Sequence, residues 1–183
     1  MFQGFRRAGI AAVSALTLGI GAAIWATSSA SAAPAATPAC SSSSLSVWVD
    51  ANQSDGTAGT TYYALEFTNI SGKACTLYGY PGVSAVNGSH KQLGDAAARN
   101  SRFAKRTVTI PAGGTAHADL GWSDAAVYTT PGCKRVAAAE IKVYPPNQKG
   151  ARYGFFDLQV CSATTHNPYL QITVVRPGPR LDA

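Results

Sequence analysis

The chain has 183 residues, 46% of them hydrophobic and 13% charged, with a formal net charge of +6 and four cysteines. Behind an N-terminal leader that leaves one domain of about 150 residues, long enough to bury a core. The basicity is mild and joined to no recognition motif, which argues against nucleic acid as the partner of an exported protein.

The first segment reads as an export signal. Arg6 and Arg7 supply a positive start, Ala8 to Trp25 carry no charge, and Ala30-Ser31-Ala32 has the small-x-small pattern of a cleavage site. The apolar run is just long enough to be weighed as a membrane anchor. Its many Ala and Gly residues make it weakly hydrophobic and a cleavage site follows directly, so residues 1–32 are expected to be a signal peptide cut after Ala32. A secreted chain with no stable membrane insertion results. Ala8-Gly9-Ile10 do not complete a twin-arginine motif, so the general secretory route is the default. Residues 33–44, rich in Ala, Pro, Thr and Ser, form a flexible linker that is tied down only if Cys40 is bridged.

From Leu45 onward the pattern is β. Leu45, Val47 and Val49 alternate with Ser46, Trp48 and Asp50; Tyr63, Leu65 and Phe67 with Ala64, Glu66 and Thr68. The same period recurs at Val108 and Ile110, at Ala116, Ala118, Leu120 and Trp122, and at Ala137, Ala139, Ile141 and Val143. Phe156, Leu158 and Val160, then Leu170, Ile172 and Val174, close the series. Period-two alternation marks strands with one buried face. Turn signals such as "YPG", "PAGG", "TTPG" and "PPNQKG" separate the runs, and "LGDAAARNSRF" reads as a loop or one short helical turn. About seven to nine short strands at this spacing predict an all-β, antiparallel β-sandwich over residues 45–177, with a C-terminal tail at 178–183.

Cys40 lies well past the apolar run and follows Thr37-Pro38-Ala39, which argues against a lipid-attachment site. Four cysteines in an exported chain read as two disulfides, and spacing alone allows three pairings. Hairpin geometry narrows them. The midpoint of Cys40 and Cys75 falls in "SDGTAGT", and that of Cys133 and Cys161 in "PPNQKG". Residues equidistant from a turn face each other, so Cys40–Cys75 and Cys133–Cys161 are the expected bridges, with the crossed pairings still open. The even count leaves no thiol over for reactivity.

Chemistry-bearing residues are sparse. His90 and His166 lie in turns, while His117, Glu66 and Glu140 sit on strand positions expected to face solvent. No metal spacing, nucleophile elbow, phosphate loop or dinucleotide fingerprint is present, so no catalytic residue, cofactor or metal is expected. Trp48, Tyr62, Tyr78, Tyr80, Tyr128, Tyr144, Tyr153 and Phe155 include several on faces opposite the core series, where an aromatic row can stack on sugars or anchor a protein. Arg99, Arg102, Lys105 and Arg106 form the one basic cluster, either a solvated loop or a contact for an anionic polymer. The candidate binding surface is therefore Tyr78, Tyr80, Trp48, Arg99, Arg102, Lys105 and Arg106.

The stretch "EFTNISGKACTLYGYPGV" resembles the actinobacterial family called domain of unknown function 4232. "VTIPAGGTA", Trp122, Cys133 near "AAAEIKVYPP" and the closing "LQITVVRPG" fit the same pattern in order, over residues 40–177. The resemblance implies an exported, disulfide-bearing, immunoglobulin-like sandwich and brings no catalytic residues. Many relatives resemble lipoproteins with a cysteine at the end of the signal; this chain departs from that arrangement, which suggests a released form. The expectation is a secreted, monomeric, non-catalytic binding or interaction module of the cell envelope or extracellular space. Its partner would be an anionic cell-wall polymer, a glycan or another exported protein. The alternatives are a small secreted hydrolase, which would need a cleft around His117 or Glu66, a protease inhibitor presenting "TTPGCKR", or a structural envelope protein.

Overall fold

The computed structural model describes residues 35–57, 59–123, 132–165 and 168–179. The expected signal peptide, Tyr128, His166, most of the 178–183 tail and the start of "TTPGCKR" lie outside the described residues. Eleven strands follow in order among the described residues: β1 Leu45–Thr57, β2 Thr60–Asn69, β3 Cys75–Tyr78, β4 Gly82–Val86, β5 Ala98–Arg99, β6 Thr107–Ile110, β7 Thr115–Ser123, β8 Arg135–Tyr144, β9 Arg152–Cys161, β10 Leu170–Ile172 and β11 Arg176–Pro177. The seven alternating runs become β1, β2, β6, β7, β8, β9 and β10. The additional strands have two to five residues, too short to show a period. β5 falls in "LGDAAARNSRF", where neither a loop nor a helical turn is the whole account: Ala98 and Arg99 pair in parallel with Gln171 and Ile172.

The strands form three sheets. The largest runs β1-β2-β7-β10-β5, with β11 also on β7; β3 pairs with β6, and β8 lies between β4 and β9. The fold is all-β with two disulfides, as expected, and an immunoglobulin-like arrangement is compatible with it. Between the sheets lie Leu45, Leu65, Phe67, Ala118, Leu120 and Ile172 from one side and Ala85, Ile141, Val143, Leu158 and Val160 from the other, all nearly inaccessible to solvent. Tyr63 meets Phe156 edge-on at 4.8 Å, and the buried Tyr169 hydroxyl donates to the Leu93 carbonyl at 2.8 Å.

Two departures from the alternation are informative. In β8 the register against β9 slips between Ala138 and Glu140. Ala138 is buried and Ala137 and Ala139 are exposed, the reverse of the expected phase, because one residue of slip exchanges the faces. In β2 and β7 four and six consecutive residues are buried. These strands occupy the interior of the large sheet, and both of their faces are covered.

Both expected disulfides are present, Cys40–Cys75 and Cys133–Cys161, and no cysteine is free among the described residues. Cys133–Cys161 closes the open end of the β8–β9 hairpin, where Cys161 faces Arg135. Cys40–Cys75 lies beyond the β1–β2 ladder, which ends at Leu45 opposite Asn69. It fastens the N-terminal segment to β3 instead: the Cys40 amide donates to the Thr76 carbonyl and the Thr76 amide to that of Pro38, both at 2.9 Å. A single 3₁₀ turn, Ser42–Ser44, then leads into β1.

Candidate functional site

Strand register sets a row of side chains across one face of the large sheet. Trp48 pairs with Glu66, Glu66 with His117, and His117 with Arg176. Three inter-strand steps put Trp48 and Arg176 about 14 Å apart. The neighbouring row, two residues along, holds Asp50, Ala64 and Asp119. This is the face that alternation assigns to solvent, and for its centre that expectation is wrong. Glu66 and His117 are fully buried, Asp119 is 2% exposed and Arg176 7%. The reason is local cover. Arg102 and Phe103 reach over the face from the segment after β5, and the chain after β11 lies across His117, whose Nδ1–H donates to the Gly178 carbonyl at 2.7 Å. A carbonyl can only accept, so the proton sits on Nδ1.

Asp119 organises the cationic end of this face. Its Oδ1 accepts from the Arg176 guanidinium at 2.5 Å, and Arg102 stands 3.9 Å from Oδ2. Its amide donates to the Thr173 hydroxyl at 2.8 Å, which seats the β7 backbone beside the turn between β10 and β11. Both guanidinium groups lie over Phe103, Arg176 at 4.0 Å and Arg102 at 4.5 Å from the ring centroid. Arg102 also covers Tyr62 at 5.7 Å, and Tyr62 in turn packs over Gly121, where a Cβ would come within 2.7 Å of the ring. Farther along, Arg99 and Lys105 each lie 5.5 Å from the Tyr80 ring. Such cation–aromatic contacts hold long cationic side chains in place while leaving their charge at the surface.

The sequence candidates are thus partly gathered. Tyr80, Arg99, Lys105 and Arg102 share this region, and Arg106 stands at the edge of a cleft of about 330 Å³ beside Phe103 and Arg176. Tyr78 is near and half exposed; it is linked to Tyr80 through Gly79, whose φ of +100° suits glycine and whose carbonyl accepts from Val175. Trp48, 43% exposed, stays at the far edge of the sheet face and does not join them. Phe103, Asp119 and Arg176 were not among the candidates. Phe103 carried a usable signal, an aromatic inside a cationic run; the pairing of Asp119 with Arg176 joins strands 57 residues apart and had none.

The remaining aromatics form a second surface. Tyr144, Tyr153 and Phe155 are exposed on β8 and β9, Phe155 by 77%. His90 stacks on Tyr153 at 4.0 Å and places Nε2 3.2 Å from Glu140.

Glu66 has neither carboxylate oxygen hydrogen-bonded. Burial, reinforced by the nearby charge of Asp50, pushes its carboxyl from 4.5 up to about 7. The folded protein therefore keeps a proton that the unfolded chain releases over that interval, and stability falls as pH rises through it. Glu66→Gln should match the parent near pH 4 and exceed it at pH 8 by roughly 1–3 kcal/mol. Urea unfolding at the two pH values checks this; parallel pH dependence in both proteins would exclude Glu66 as the source. Neither Glu66 nor His117 lines the cleft. Among the described residues no group of three or more His, Cys, Asp or Glu is placed to hold a metal ion. No helix among them is long and apolar enough to cross a membrane.

Fold and site together define an all-β, doubly disulfide-bonded protein whose conspicuous surface is cationic and aromatic. A family model, domain of unknown function (DUF4232), matches residues 40–176, and the chain belongs to that family. No curated protein and no solved structure matches it.

Proposed function

We propose that this protein acts outside the cytoplasm as a non-catalytic binding module, and that its cationic aromatic face takes an anionic polymer of the cell wall. The observation that carries the reading is the convergence of Arg99, Arg102, Lys105 and Arg106 around Tyr80 and Phe103, from a segment that had only their nearness in sequence to join them. Fixed cations on aromatic supports attract a polyanion through the summed field and lose little side-chain entropy on contact. The two disulfides and the leader-like residues 1–32 support an extracellular compartment.

The test is co-sedimentation of the mature protein with purified bacterial cell walls across salt concentrations. Binding at low salt that weakens as salt rises is expected. The triple variant Arg99→Gln, Lys105→Gln, Arg106→Gln spares Arg102 and its contact with Asp119, and should bind at least tenfold more weakly with an unchanged melting temperature. Protein that stays in the supernatant at low salt, or a triple variant that sediments like the parent, would overturn the assignment.

A further inference from the structure

We infer that the cleft beside Phe103 is a binding site for a soluble single-chain amphiphile with an anionic head. This rests on reading the cationic face as an anion-binding surface and adds a tail-binding element to it. The floor is built from core residues: Val108 and Val175 are 5% and 2% exposed, so the cleft exists without any rearrangement. Phe103 lines the cleft, with the guanidinium groups of Arg102 and Arg176 against its ring. Ala104 and Arg106, both exposed, stand at the mouth. An apolar floor with a few oriented polar groups at its rim is the common build of a small-molecule site. A polysaccharide or a hydrated polyphosphate would use the rim and leave this floor unfilled.

Charge chooses the head group. Arg106 and Arg176 line the cleft and Arg102 lies over its Phe103, three cations against the one buried carboxylate of Asp119, so the mouth favours an anion over a neutral or cationic head. Size chooses the tail. A volume of about 330 Å³ lies at the small end of ligand-sized clefts, which suits one alkyl chain and not the paired chains of a bilayer lipid. The ligand class is therefore a chain terminating in a phosphate or carboxylate, captured as a free molecule.

Calorimetric titration with dodecyl phosphate, below its micellar concentration, tests the assignment against inorganic phosphate, dodecyl maltoside and phosphatidylglycerol vesicles. Dodecyl phosphate should bind at least tenfold more tightly than either phosphate or the maltoside. Ala104→Trp, which fills the mouth from an exposed position, should weaken it at least tenfold while cell-wall co-sedimentation is retained. Arg106→Gln should narrow the preference for the phosphate over the maltoside. Equal affinity for dodecyl phosphate and phosphate would show that the cleft is not used; equal affinity for the maltoside would remove the role of the cations. Tight association with vesicles would assign the surface to membranes and overturn the inference. No binding by any probe, with wall sedimentation intact, would overturn it and leave the wall-binding function standing. Amphiphile binding without wall sedimentation would do the reverse.

Discussion

Replacing Cys40 and Cys75 together by alanine should lower stability by about 3–4 kcal/mol, the loop-closure effect expected for a bridge that spans 35 residues. The consequence is also local. Without the bridge, three hydrogen bonds join residues 38–40 to β3: the Cys40 amide to the Thr76 carbonyl, and the Thr76 amide and hydroxyl to the Pro38 carbonyl. Such a short segment does not hold its place by three hydrogen bonds at a sheet edge, because each contributes only about 1 kcal/mol net against the entropy of ordering the chain. The Thr76 amide should therefore lose its protection from hydrogen exchange while amides in β2 and β7 keep theirs down to the lowered global stability. Alanine at Cys133 and Cys161 removes a loop of 28 residues, nearly as costly in chain entropy. There, however, the β8–β9 ladder already pairs Arg135 with Cys161, so local protection should persist. Urea unfolding and native-state hydrogen exchange check both statements. A loss below about 1 kcal/mol for the first variant, or continued protection of Thr76, would show that the N-terminal segment is held by something other than the bridge.

Arg176→Met should cost about 3–5 kcal/mol, because it removes the close partner of a carboxylate that is 2% exposed. Arg102 is the cation left near Asp119, at 3.9 Å and from an exposed position, a weaker compensation. The double variant Asp119→Asn with Arg176→Met should recover part of the loss, since no charge is then stranded in the interior. A double-mutant cycle from chemical denaturation measures the coupling, and strict additivity would show that the two residues do not act as a unit. The same substitution reaches the proposed binding surface. Arg176 is one of the two cations over Phe103, and without it Arg102 is drawn toward Asp119 and away from the ring. Cell-wall affinity should fall in Arg176→Met although Arg176 itself is almost hidden from solvent.

Much of the architecture was legible before any coordinates. Alternation located seven strands because a half-buried strand must present different chemistry to its two sides. Turn positions favoured the cysteine pairing that is observed: for Cys133–Cys161 the β8–β9 hairpin supplies the reason, whereas Cys40–Cys75 lies beyond the β1–β2 ladder and fastens the N-terminal segment to β3. The cationic run Arg99–Arg106 was visible as composition, and the quoted motifs led to the family. What alternation does not carry is the identity of whatever lies against the polar side. Glu66 and His117 read as solvated because their neighbours in sequence say only that they point away from the core. Their face is covered from elsewhere in the chain: the segment around Gly178 crosses His117, and Arg102 and Phe103 reach Asp119 and Arg176 beside it. The phase slip in β8 likewise depends on how β9 registers against it. The cation-bearing site needed Asp119 and Arg176, 57 residues apart, to be set on adjacent strands. Strand chemistry is a short-range property and is written along the chain; burial, ion pairing and the cleft arise from contacts between distant segments, and they exist only once the sheets have closed.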